Sequence, residues 1–241
     1  MTALVWVALA GAAALYLGLV ATARRPWPLA RTASWLAGLG CVGGALTGPL
    51  AAAHLDLRTH MAAHLLVGMV APVFLVLARP VTLLLRALPV AAARRASRVL
   101  RSSSVRVLTD PFVATALNAA GLWVLYRGGA LTTVLHSPSL HLLVSVHVLL
   151  TGWLATAAVL ALEPTRHRRG VVARAAALAV GMAAHDVLAK SLYASPPLPT
   201  AAAGAELMYN GGTVVHLLVA GLIWREWYRS RASVRAVAVP A

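Results

Sequence analysis

Charge is scarce in this chain and acid is scarcest: 11% of the 241 residues are charged, six of them Asp or Glu against 21 Lys and Arg. Soluble domains carry about 25% charged residues, so an ordinary water-soluble globule is excluded. Cysteine is nearly missing as well. The single Cys41 rules out an internal disulfide and every motif built on paired thiols, from a CxxC redox site to a c-type haem attachment or a thiolate-pair metal site. The chain has no HExxH, no Ser-His-Asp pattern and no phosphate-binding glycine loop, so no familiar constellation points to an enzyme. It also lacks internal repeats and a soluble domain.

What is present is apolar. Hydrophobic residues make up 60% of the chain and the mean hydropathy is +0.80. They come in continuous blocks of about 20, the length that crosses a ~30 Å hydrocarbon core. The ~10-residue alternating segments of a membrane β-barrel are not seen. The expected fold is all-α: a polytopic membrane protein, one integral membrane domain over 1–241, built as a bundle of seven transmembrane helices. The spans read as about 2–23, 32–53, 58–78, 111–126, 139–162, 171–193 and 206–228. The first is read as a retained span. Ala21-Thr22-Ala23 resembles a signal-peptide cleavage site, but no positive charge precedes the apolar run, and Arg24 and Arg25 follow it. Glycines in the second span, such as Gly38, Gly43 and Gly44, permit close helix packing. The fourth opens at Asp110-Pro111, an N-cap followed by a first-turn proline.

A net charge of +15 would suggest nucleic acid in a soluble protein. Here no soluble basic domain exists to bind it, and the lipid bilayer is the expected partner. The basic residues sort by loop instead. Arg24, Arg25 and Arg31 follow span one. Arg79, Arg86, Arg94, Arg95, Arg98, Arg101 and Arg106 follow span three. Arg166, Arg168, Arg169 and Arg174 follow span five, and Arg225, Arg229, Arg231 and Arg235 follow span seven. The alternate side holds only Arg58, Arg127 and Lys190. The positive-inside rule then puts the N-terminus out and the C-terminus in. Segment 89–106 reads as a basic interfacial connector with Arg94, Arg98 and Arg101 on one face, resting on anionic lipid.

This topology sends eight of the nine histidines to the outer half of the membrane or above it; only His167 falls on the inner side. His60 and His64 open the third span and, four residues apart, share one helical face. Met61 sits between them and Asp56 precedes them. His54 and His136 read as wet loop residues. His141 and His147 lie early in span five, about 120° apart around the helix; His147 is the deeper and is expected to face an interior site. His185 lies about 12 Å below the outer end of span six, with Met182 three residues before it. Asp186 and Lys190, at i and i+4, are expected to pair and hold that span. His216, near mid-bilayer, reads as an interhelical hydrogen-bonder. Ionisable groups inside lipid are costly and mark function. The candidate metal ligands are therefore His60, His64, His147 and His185, with Met61 and His141 as weaker ones and Asp56, Asp186 and Lys190 as supporting groups. Imidazole suits Cu, Zn, Fe and Ni, and a thioether favours Cu(I).

Four stretches carry a family resemblance: THMAAHLLVGMVAPVFLVLARPVTLLLRALP, SLHLLVSVHVLLTGWLATAAVLALEP, MAAHDVLAKSLYA and AELMYNGGTVVHLLVAGLIWREWY. They resemble the CtaG-type cytochrome c oxidase assembly proteins of bacteria. The first is the most specific, because neither packing nor topology demands its wording. His60, Met61 and His64 match the first motif, His141 and His147 the second, and His185 the third. The resemblance implies a multi-pass protein of the bacterial plasma membrane that matures the copper centres of a respiratory oxidase, with cytochrome c oxidase subunits as partners. One departure is visible: many members carry Trp-His-x-Pro near the end of the fourth span, where this chain has Trp123-Val-Leu-Tyr-Arg127.

The expected role is thus a non-catalytic copper carrier that takes the ion from the extracytoplasmic side. Neutral imidazoles are needed, so binding should weaken below about pH 6. Two alternatives compete: a membrane cytochrome holding haem b between His147 and His185, and a metal- or proton-coupled transporter. The second is weakened by the missing repeat and by the few polar groups in the inner half.

Overall fold

A computed structural model describes residues 2–53, 55–164, 168–196 and 201–237, the last eight of these for the backbone only. His54, Arg166 and His167 lie outside the described residues. The fold is 86% helical, with no strand among the described residues.

Helix α1, Thr2–Thr22, is apolar all round and buries only Val5 and Tyr16, as a helix bathed in lipid does. Helix α2, Leu29–Leu46, stops at Thr47, where the backbone is extended. Gly48 follows at φ 74° and the short α3, Gly48–Ala52, takes Pro49 in its first turn. The positive φ at Gly48 interrupts the regular helix within the second span, which continues through α3 to Ala52. Helix α4, Leu57–Leu65, is capped by Asp56, whose carboxylate accepts from the Thr59 N–H at 3.0 Å and its hydroxyl at 2.8 Å. A π-helical turn, Leu66–Val70, joins α4 to α5, Ala71–Leu77. Pro72 explains it. Proline has no N–H for the Gly68 carbonyl four residues back and its ring would strike that carbonyl, so the backbone loosens locally. Arg79 then turns left-handed at φ 52° and α6, Pro80–Ala87, begins.

The expected basic connector is two helices, α7, Val90–Leu100, and α8, Ser103–Leu108, neither burying a residue. Helix α9, Pro111–Arg127, starts at the Asp110 cap, whose carboxylate accepts from the Phe112 N–H at 3.1 Å. A short α10, Leu131–His136, seals the end of the bundle with Leu131, Val134 and Leu135. Then come α11, Pro138–Leu160, α12, Val171–Ala194, and α13, Ala201–Val237. The last begins five residues before the expected Glu206, so Ala201–Ala205 is helix where a loop was expected.

Six stretches are long and apolar enough to cross a membrane: Thr2–Thr22, Leu29–Ala52, Leu57–Ala87, Pro138–Leu160, Val171–Ala194 and Ala201–Arg229. The chain is a multi-pass membrane protein. Helix α9, at 17 residues, is about 26 Å long. It is tied to both ends of α12: Asp110 pairs with Arg169 at 2.7 Å, and Arg127 donates to the Ser191 hydroxyl at 3.0 Å and the Ser195 carbonyl at 3.3 Å.

Lipid gives helices no hydrophobic reason to associate, so close packing must hold the bundle. A Cβ on Gly152 would strike the Gly68 carbonyl, one on Gly204 would come within 2.9 Å of the Leu57 carbonyl, and one on Gly38 within 2.8 Å of Leu75. One core, around Leu57, Met61, Leu125, Leu188, Leu192 and Met208, lies at the end where α4 and α11 begin. A second, around Val73, Val76, Val159, Leu160, Val219 and Ile223, lies at the opposite end.

Candidate metal centre

Five histidine rings run in a line through the first half of the bundle. His141, near the start of α11, lies 5.7 Å from His60 between ring centroids. His60 Nε2 and the Tyr126 hydroxyl are hydrogen-bonded at 3.1 Å, which ties α4 to the end of α9. One turn on, His64 meets the edge of the same Tyr126 ring at 5.9 Å and stacks on His185 of α12 at 6.3 Å, with planes 13° apart. His185 in turn meets His216 of α13 at 5.4 Å. His60, His64 and His185 are buried.

At the inner end of this line, His185, Asp186 and His216 each offer a ligand atom, and these atoms lie within 4.8 Å of one another. Asp186 Oδ1 is 3.8 Å from His185 Nδ1, too far for a hydrogen bond. Among the described residues, His64 Nε2, both ring nitrogens of His185, His216 Nδ1 and Asp186 Oδ1 have no protein hydrogen-bond partner. Buried polar groups are normally paired, and each orphan costs about 1–3 kcal/mol. Several orphans aimed at one space are what a site kept for a cation requires.

Glycines clear the room. A Cβ on Gly212 would collide with the His185 ring, and one on Gly68 would meet Val148 at 2.8 Å and the His64 ring at 3.4 Å. Two cavities result. One of about 70 Å³ is lined by His64, His185 and His216 together with Met69, Asn118 and Thr115. Another of about 30 Å³ is lined by His60, His64, Tyr126 and His141. Each has room for a water or a partly hydrated ion, far below the ~300 Å³ at which organic-ligand pockets start.

Several sequence expectations shift. His147 is exposed on α11 and lies over Gly121, where a Cβ would come within 2.8 Å of its Nε2; it lines neither cavity. Depth had favoured it over His141, but helical phase sends His141 inward instead. With His147 turned away, it does not face a common space with His185 as a haem pair would. Met61 is fully buried in the apolar core against Gly204 and lines neither cavity. Asp186 and Lys190 are not paired: the Lys190 ammonium sits 5.0 Å from the Tyr209 ring centre, while Asp186 turns toward His185. His136 is exposed and donates to the Thr132 carbonyl at 2.8 Å. His216, Tyr126 and Met69 were not read as site residues. The signal for His216 is Gly212 one turn before it, a gap that admits the facing ring. Val124, where the resembled motif carries histidine, is 64% exposed, so that departure removes nothing from the interior line.

A multi-pass helical protein with a histidine-lined interior is the class this geometry defines. The chain belongs to the cytochrome c oxidase caa3 assembly factor family, Caa3_CtaG, whose model matches residues 14–230. Among curated proteins it is similar to uncharacterized proteins of Mycobacterium bovis and Mycobacterium tuberculosis, 31% identical over 163 residues, which is 63% of this chain and 24% of each of those proteins. A third, from Mycobacterium leprae, is 29% identical over 195 residues, 73% of this chain and 29% of that protein. The chain thus spans about a quarter of the length of these relatives. No solved structure matches it.

Proposed function

We propose that this chain is a copper-handling assembly factor of the bacterial plasma membrane that supplies the metal centres of a respiratory oxidase and catalyses no reaction of its own. The family supports the oxidase as client. The observation that carries the copper reading is the group His185, Asp186 and His216 on α12 and α13, with His64 of α4 stacked on His185, and with ring nitrogens that no protein group engages. A set of imidazoles and one carboxylate, without thiolate, binds late first-row metals, and copper heads their affinity order.

Seven crossings, with the N-terminus out, fit this reading. Helix α9 counts as a crossing because it reaches both ends of α12. The arginine-rich loops then face the cytoplasm, and the end bearing His60 and His141 opens toward the extracytoplasmic side, where copper would be taken up. Transfer to an oxidase subunit proceeds by ligand exchange.

The test is complementation. In cells lacking this chain, the wild type should restore oxidase copper content and activity, and His185→Ala/His216→Ala, present at equal level in the membrane, should not. Full restoration by that double variant overturns the proposal.

A further inference from the structure

The two cavities share one residue. Of all the described side chains that line them, only His64 belongs to both linings. On one side of it lie His60, Tyr126 and His141, in the smaller space of about 30 Å³. On the other side lie His185 and His216, in the larger one of about 70 Å³, with Asp186 beside them. We propose that copper occupies two stations in succession, an outer one at His60, Tyr126 and His141 and an inner one at His185, Asp186 and His216, with His64 handing the ion from the first to the second. This rests on the copper reading above.

The geometry of His64 suits a handing ligand more than a fixed one. It follows His60 by one turn of the same helix, a rise of about 6 Å. Its ring stacks on His185 at 6.3 Å, and its Nε2 has no protein partner to hold it in one place. The Tyr126 ring meets both neighbours edge-on, His60 at 6.0 Å and His64 at 5.9 Å, so one wall serves both positions. The regular α-helical pairing is also interrupted close by, because the π turn Leu66–Val70 begins two residues beyond His64. Gly68, within that turn, leaves the ring space that a Cβ would narrow to 3.4 Å.

The chemistry balances without a co-reactant. A bond forms from His64 Nε2 to the ion as the bond to His60 breaks; bonds from His185, His216 and the Asp186 carboxylate then form as those to His141, to the Tyr126 hydroxyl (which keeps its proton) and to His64 break. The ion keeps its charge, each imidazole leaves as neutral as it arrived, and no electron moves. Each bond that breaks is replaced by one that forms, so the ion passes between stations without a bare intermediate. Cargo that must leave again needs that property.

Purified full-length protein in detergent tests this with copper ion alone as the probe. Wild type should bind two ions per chain, and His60→Ala/His141→Ala and His185→Ala/His216→Ala one each. His64→Ala should still bind two, but a water-soluble chelator should strip the inner ion at least tenfold more slowly. Thermal unfolding of each variant checks folding, and His64→Gln, of similar size, should repeat the slow exchange if the alanine variant unfolds. A single ion in the wild type that both double variants lose would mean one composite site and would overturn the two stations while leaving the proposed function intact. No copper in the wild type would overturn both. Unchanged exchange in the His64 variants, or loss of an ion from them, would remove His64 from the handing role.

Discussion

At the end of the bundle where α12 begins, buried charge is paired. Arg174, 2% exposed, donates to the carbonyls of Val159 at 2.9 Å and Leu160 at 3.0 Å and to the Glu226 carboxylate at 2.9 and 3.2 Å. Arg168 pairs with the same carboxylate. Glu163 accepts from the N–H groups of Val81 at 3.0 Å and Thr82 at 2.9 Å, at the positive N-terminal end of α6. In the half where the histidines lie, His64, His185, His216 and Asp186 are left with open ligand atoms. Both regions hold ionisable groups in a membrane bundle, and both therefore carry a desolvation cost. The arginine end offsets it with protein partners, which makes it a clamp. The histidine half leaves it standing, which makes it a site.

The largest test of this contrast is to swap the losses. Arg174→Ala strands two carbonyls and leaves the Glu226 carboxylate to Arg168 alone, and should cost about 1–3 kcal/mol of stability, read as an earlier thermal unfolding in detergent, with copper per folded molecule unchanged. His185→Leu removes an orphaned polar group for an apolar one of similar size and should change stability by less than about 1 kcal/mol, while copper at the inner station is lost. If His185→Leu proves as damaging to folding as Arg174→Ala, the histidines are structural and the contrast fails.

Gly212→Ala sharpens it further without touching a ligand. Elsewhere in a helix the change gains about 0.5–1 kcal/mol; here the new methyl meets the His185 ring. Copper affinity should fall at least tenfold by equilibrium competition, with all five histidines still present. An affinity equal to wild type would mean that the ring position does not matter.

The smallest effect lies in the ion pair Asp110–Arg169. Burial pulls the Asp110 pKa up, but the Arg169 hydrogen bond and the backbone N–H groups of Phe112 and Val113 outweigh it and hold the carboxyl below its usual range. A depressed carboxylate stabilises the fold above its unfolded pKa of about 3.9, and this contribution is lost as pH falls through the folded value. Asp110→Asn should therefore lower stability by under about 1 kcal/mol at neutral pH, a difference that shrinks toward zero in unfolding scans taken below pH 4. A difference that grew in acid would contradict the sign.

How much of this was legible in the sequence follows from what each signal encodes. Apolar run length and the Asp-Pro start placed the helices well, because lipid forces backbone pairing within each segment. The π turn was missed, since Pro72 was read as part of a continuous run. The His60/His64 pair was legible because i, i+4 spacing fixes both phase and depth. His141 against His147 was not. Depth alone ranked them, and azimuth depends on which neighbour offers a gap, here Gly121 for His147. His216 was read as a lone residue because nothing in one helix reveals what faces it. The Asp186–Lys190 pair failed for a related reason: the Tyr209 ring of α13 gives the ammonium another partner.

The X-ray absorption spectrum of copper-loaded protein tests the central claim most directly. A first shell of nitrogen and oxygen with imidazole scattering from at least two histidines is the predicted result, with the copper of the inner station and its share of that signal lost in His185→Ala/His216→Ala. A shell dominated by sulfur, or a copper content and imidazole signal unchanged in that double variant, would contradict it.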